Sequence, residues 1–180
     1  QSEWAILTRQ LREFEKTKNK KAERDRKLLH DYVLILGNTG IRVGEARNLK
    51  WGDIKEIPPP NKSNTPPNIV LYVQGKTGRR EVVARTSDVK AYLKRILELR
   101  QQELLKQAAE GKEPKKVTND DYVFCNRDGT AIGSLKKSFE ALLKFTNLET
   151  DEHGQKRTIY SLRHTYATVS YTHLTLPTIL

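Results

Sequence analysis

The chain has 180 residues, 33 of them Lys or Arg and 22 Asp or Glu, for a formal charge of +11 and a pI near 9.7. That length can bury one ordinary core unaided, and a lone Cys125 excludes an intrachain disulfide or a thiolate zinc cluster. The charge favours a polyanionic partner, nucleic acid before an anionic membrane surface, while the lack of a run of about 18 apolar residues or of a secretory leader predicts a soluble, cytoplasmic protein.

The chain opens at Gln1 and contains no methionine, which points to a piece of a longer translated protein. From Glu3 to Lys21, apolar residues at Trp4, Ile6, Leu7, Leu11 and Phe14 have helical spacing that fades into a basic run. Residues 1–23 therefore read as a leading helix and basic linker. "DRKLLHDYVLILGNTG" is too apolar for a surface helix, and predicts a core helix ending at Gly37. "NTGIRVGEARNLKWGDI" then reads as a loop feeding an amphipathic helix, with Arg42 at the turn into it.

"EIPPPNKSNTPPN" holds five of the seven prolines and is predicted to be a surface loop, since no helix or central strand accepts that density. In "IVLYVQGKTGRREVVA" two β-branched runs flank a Gly-, Lys- and Thr-containing turn, the pattern of a hairpin with Lys76 at its tip. A helix follows, opened by a possible Ser87 cap, carrying Val89, Tyr92, Leu93, Ile96, Leu97, Leu99 and Leu104, and closed at Gly111. "DDYVF" is strand-like, and Cys125 after it reads as a small buried hydrophobe. "SLKKSFEALLKFTNL" predicts another helix, "ETDEHGQKRT" a polar loop, and "IYSLRHTYAT" a final helix. The fold class expected is mainly α with a small antiparallel β-sheet, which alone names no function.

Two arginines stand out, Arg42 in "TGIRVGE" and Arg163 in "YSLRHTYAT", each in an apolar, helix-like setting where a charge needs a partner. A lone arginine of this kind is usually an ion pair, here with Glu45 or Asp53. Two from distant segments can instead clamp the oxygens of one phosphate. His30, His153, His164 and His173 lack ligand spacing, and "GKTGRR" lacks the flanks of a phosphate loop, so neither metal nor cofactor is expected.

"TGIRVGEARNLKWGDI", "GKTGRREVV" and "YSLRHTYAT", in that order, resemble the catalytic domain of the tyrosine recombinases, or phage integrases. The resemblance covers residues 24–168 and implies that family's DNA breaking-rejoining fold. It implies that Arg42 grips a scissile phosphate, that Glu45 buttresses the site, and that Lys76 donates a proton to the leaving hydroxyl. The second motif places Tyr160 where the family has histidine and keeps Arg163. A phenol can hydrogen-bond a phosphate oxygen, but its pKa of ~10 makes it a poorer proton shuttle than imidazole. His164 takes a packing or hydrogen-bonding role. The implied reaction is site-specific recombination of double-stranded DNA through a metal-free phosphotyrosyl intermediate, by several copies of the protein on the DNA.

The resemblance breaks after Thr168, where "VSYTHLTLPTIL" suits neither the family's next helix nor its nucleophile motif. Residues 169–180 are expected to be foreign or out-of-frame sequence. Tyr171 follows Arg163 too soon and Tyr166 lies in the motif itself, so no tyrosine of the chain is a credible nucleophile, and DNA binding without cleavage is expected. The other reading is a non-enzymatic DNA-binding module, in which "KTKNKKAERDRK" and "KTGRR" make salt-sensitive backbone contacts and the arginines are structural.

Overall fold

The computed structural model describes residues 2–59 and 64–173, with Lys21 and 169–173 described by backbone alone. The described residues form six α-helices and one three-stranded antiparallel sheet, the mainly α class expected. They divide into two compact units, Gln1–Arg42 with Ser134 onward, and Val43–Gly133. Among the described residues no helix is long and apolar enough to cross a membrane.

The first unit is helical. Its centre is α2 (Lys20–Thr39), which packs against α1 (Glu3–Glu15), α5 (Lys136–Phe145) and α6 (Ser161–His173). Leu28, Leu29, Tyr32, Val33, Ile35 and Leu36 of α2 are all buried, each large aliphatic contributing about 2 kcal/mol of apolar transfer. Burial also pushes the Tyr32 phenol above its ordinary pKa. α1 adds Leu7, Leu11 and Phe14, and α5 adds Phe139, Leu142 and Leu143 at helical spacing.

The core helix does not end at Gly37. It runs on to Thr39, and Gly37 lies inside it because the Trp4 indole of α1 fills the space a side chain would take. Helix packing accounts for this glycine, and Gly40 is the terminator. Its φ of +63° is left-handed, and its N–H closes the helix on the Leu36 carbonyl at 2.9 Å. At the other end of the unit, α6 continues through Val169–His173, although the composition there argues against a helix. The remainder of the anomalous segment, 174–180, lies outside the described residues.

The second unit contains the sheet, in the order β1-β2-β3. β2 (Asn68–Gly75) and β3 (Gly78–Val83) form the hairpin expected, paired from Val70↔Val83 to Gly75↔Gly78 around a two-residue turn of Lys76 and Thr77. The third strand, β1 (Ile54–Ile57), pairs with β2 from Ile54↔Leu71 to Ile57↔Asn68 and occupies the start of what reads as the proline loop. Four residues, apolar only at their two ends, carry too little local signal; pairing with β2 makes them a strand. Residues 60–63 of that loop lie outside the described set.

α3 (Val43–Asn48) packs on β2, and a single 3-10 turn at Trp51–Asp53 leads into β1. The long helix α4 (Val89–Ala109) buries Val89, Leu93, Ile96 and Leu104 and is followed by Gly111 at φ +90°. Its N-cap is Asp88, not Ser87, and no side chain completes the cap; the Thr86 hydroxyl instead accepts from the Asp88 N–H. "DDYVF" forms no strand. Lys50 and Tyr122 make an isolated bridge beside Val123 N–H to the Leu49 carbonyl at 2.9 Å, and the 3-10 turn then carries the partner segment away. Cys125 is buried, as a small hydrophobe would be.

Candidate active site

Arg42 directly precedes α3, after buried Ile41, and its own side chain is exposed. The premise that it sits within an apolar helix and needs a partner for that reason therefore lapses. Helix α3 ends at Asn48, and Leu49 directly after it is buried.

Arg163 lies in the first turn of α6 and donates from Nη1 to the Gly40 carbonyl at 3.2 Å, across 123 residues of sequence. This brings the second motif arginine to the turn whose next-but-one residue is Arg42. Close approach of α6 to that turn depends on Gly40, since a Cβ there would run into the Tyr166 ring. Tyr166 is thereby a packing residue.

Tyr160 is exposed and immediately precedes α6, its carbonyl accepting from the Arg163 N–H at 3.1 Å. Its ring meets His164 edge-on, centroids 5.5 Å apart at 76°. The loop leading to Tyr160 is shaped by Asp151, whose carboxylate accepts from the backbone N–H groups of Gln155 and His153. Those bonds, that from Gln155 foremost, hold its pKa below the usual carboxylate value.

In the second unit, Lys76 is exposed at the hairpin turn. Glu45 is buried, its side chain only 1% exposed, and Arg80 of β3 meets it with two bonds, Nε to Oε1 at 3.1 Å and Nη2 to Oε2 at 2.8 Å. Asp53, the other carboxylate considered as a partner for the motif arginines, accepts from the Lys50 N–H at 3.1 Å and lies 3.7 Å from Arg79. Arg80 was not singled out from the sequence. The signal was there, since period-2 alternation in "GRREVV" puts Arg80 on the face of buried Val82, where a charge needs an acidic partner.

The family model described as "Phage integrase family" matches residues 7–173. The chain belongs to that family. A phage integrase relative from Sinorhizobium fredii, y4rB, named as an integrase/recombinase, is 30% identical over 139 residues, covering 74% of this chain and 37% of its own. The XerH site-specific recombinase, solved bound to its difH substrate as a pre-cleavage complex, matches with a TM-score of 0.64 and 26% identity over 96% of this chain and 42% of its own. The Tn1549 transposon integrase in complex with circular intermediate DNA shares the fold, at a TM-score of 0.53 and 18% identity, over 97% of this chain and 52% of its own. The phage integrase chain thus spans about 40% of the length of the first two relatives.

Proposed function

We propose that residues 24–168 are the part of a site-specific DNA recombinase that grips the scissile phosphate. Arg42 and Arg163 hold the non-bridging oxygens of one phosphodiester with planar, two-pronged guanidinium contacts, offsetting the charge that builds on phosphorus during transfer. Lys76 supplies a proton to the departing hydroxyl oxygen. Tyr160 donates its phenolic hydrogen to a phosphate oxygen, and His164 holds that ring by its edge contact. A tyrosine from outside residues 24–168 gives its phenolic proton to solvent as its oxygen attacks phosphorus, the bond to one strand oxygen breaks as that oxygen takes the Lys76 proton, and the phosphotyrosyl link conserves the ester for rejoining. No metal or cofactor enters this scheme. In this reading neither Tyr166 nor Tyr171 is the nucleophile, and several copies act together on duplex DNA.

The observation that carries the reading is the Arg163–Gly40 bond, which brings the two motif arginines to one turn of one compact unit. Duplex binding by the chain tests it. Arg42→Ala and Arg163→Lys should each weaken binding about tenfold, or ~1.4 kcal/mol, and the double variant should lose less than the sum because both hold one phosphate. Strictly additive losses, each removing about one phosphate from the salt slope, overturn the shared clamp in favour of a non-enzymatic binding module. A detergent-stable DNA adduct abolished by Tyr171→Phe overturns the reading of the tail.

A further inference from the structure

We infer that Arg80 is a positioning residue for Lys76: through its two-pronged bond to buried Glu45 it fixes the β2–β3 hairpin against α3, the helix that starts one residue after Arg42. The inference deepens the proposed function, resting on the reading of Lys76 as the proton donor.

Apolar packing of the hairpin stops short of its tip. Val73, paired with Arg80 in the ladder, is 1% exposed, but beyond that pair come only Gln74, Gly75, Lys76, Thr77, Gly78 and Arg79, polar residues and glycines. A cavity of ≈ 120 Å³ sits beside this region, lined in part by Glu45, Asp53, Tyr72, Gln74 and Arg79, so close packing does not hold the hairpin there. Polar contacts must set its angle.

Two are in place. Arg79 stacks over Tyr72 at 5.3 Å and lies 3.7 Å from Asp53, but its side chain is 63% exposed and that ion pair is screened by water. The Arg80–Glu45 pair is shorter, parallel-pronged and closed to solvent on the carboxylate side. Two parallel bonds fix orientation as well as distance, which a lysine ammonium at the same place cannot do. Lys76 lies four residues from this anchor, across a turn that Gly78 allows at φ +107°. The fork therefore limits where the ammonium of a solvent-exposed turn can swing.

Amide hydrogen exchange of the chain tests this, comparing hairpin amides between Val73 and Arg80 with those of Leu93 and Ile96 in α4. Arg80→Lys keeps the charge without the fork, and a Glu45→Gln, Arg80→Gln double variant avoids stranding a buried charge should the single change unfold the unit. Both should exchange about tenfold faster in the hairpin while α4 is unchanged. In the Arg80→Lys background, Lys76→Ala should no longer weaken duplex binding, whereas Arg42→Ala still should. Hairpin exchange that stays in step with α4 in both variants overturns the role of Arg80. If Lys76→Ala leaves duplex binding of the unaltered chain untouched, a contact of Lys76 with the bound phosphate fails, and exchange still decides whether Arg80 holds the hairpin.

Discussion

The two units hold their charged residues by opposite means. In the helical unit, Arg163 is fixed through a backbone carbonyl, that of Gly40, on a turn that exists because glycine accepts a left-handed φ beneath the Tyr166 ring. In the sheet unit, Lys76 rides on a hairpin whose inward face ends in a charge pair, Arg80 with Glu45. The first arrangement constrains the chain and leaves the guanidinium with donors to spare; the second ties an arginine's fork to a buried carboxylate. An arginine beside an active-site motif is therefore not a ligand by virtue of its type. Its depth, and whether an acid faces it, separate the two roles.

Removing the sheet unit's device should have the larger effect. Arg80→Ala takes the two-pronged partner from a buried carboxylate, and chemical denaturation should show a loss of roughly 3 kcal/mol, the low end for a broken buried pair because Arg80 is itself partly exposed. A loss under about 1 kcal/mol would place the pair among surface ion pairs and erase the contrast. Disturbing the helical unit's turn should come next. Gly40→Ala forces a side chain into a left-handed backbone and against Tyr166, at an expected cost of about 2 kcal/mol in the same measurement. It should also weaken duplex binding, since the turn carries Arg42 and receives Arg163; stability lost with binding retained would separate the turn from the phosphate site.

The smallest effect sharpens the comparison by showing a charge that matters to neither device. The Asp128 carboxylate accepts from the Thr130 hydroxyl at 2.7 Å and from its N–H at 3.0 Å, bonds that lower its pKa, the hydroxyl foremost. A lowered folded-state pKa means that the stabilisation is present above the ordinary carboxylate value of ~4 and is lost as pH falls through the folded value. Asp128→Asn should therefore remove a small part of the stability at pH 7 and flatten its acid dependence, read from thermal melts between pH 7 and 2. An unchanged acid limb would mean that these bonds do not survive in solution.

Much of this was legible in the sequence because it is local. The stripes of α4 and α5, the hairpin with Lys76 at its tip and the buried Cys125 follow from spacing and turn chemistry between near neighbours. The three motifs that carry Arg42, Lys76 and Arg163 were legible in their order along the chain. Gly37 was misread because glycine both ends helices and admits a neighbour, and only Trp4, more than thirty residues earlier, distinguishes these uses. β1 was missed since an edge strand of four residues is made by its partner. Arg42 was read as lying in an apolar, helix-like setting because its flanks are apolar, whereas it precedes α3 with its side chain exposed.

What the sequence determined by itself, then, is the inventory: a strongly basic charge, periodicity for the helices and hairpin, and three motifs whose order marks the phage integrase family. Tertiary structure alone decided which of those charges are committed. Arg80 reaches Glu45 across 35 residues and Arg163 reaches Gly40 across 123, and neither pairing has a local signature. Periodicity reports the face on which a side chain lies. Only packing sets which distant group is brought opposite it, and with that whether a charge is committed to another group of the protein or left facing solvent.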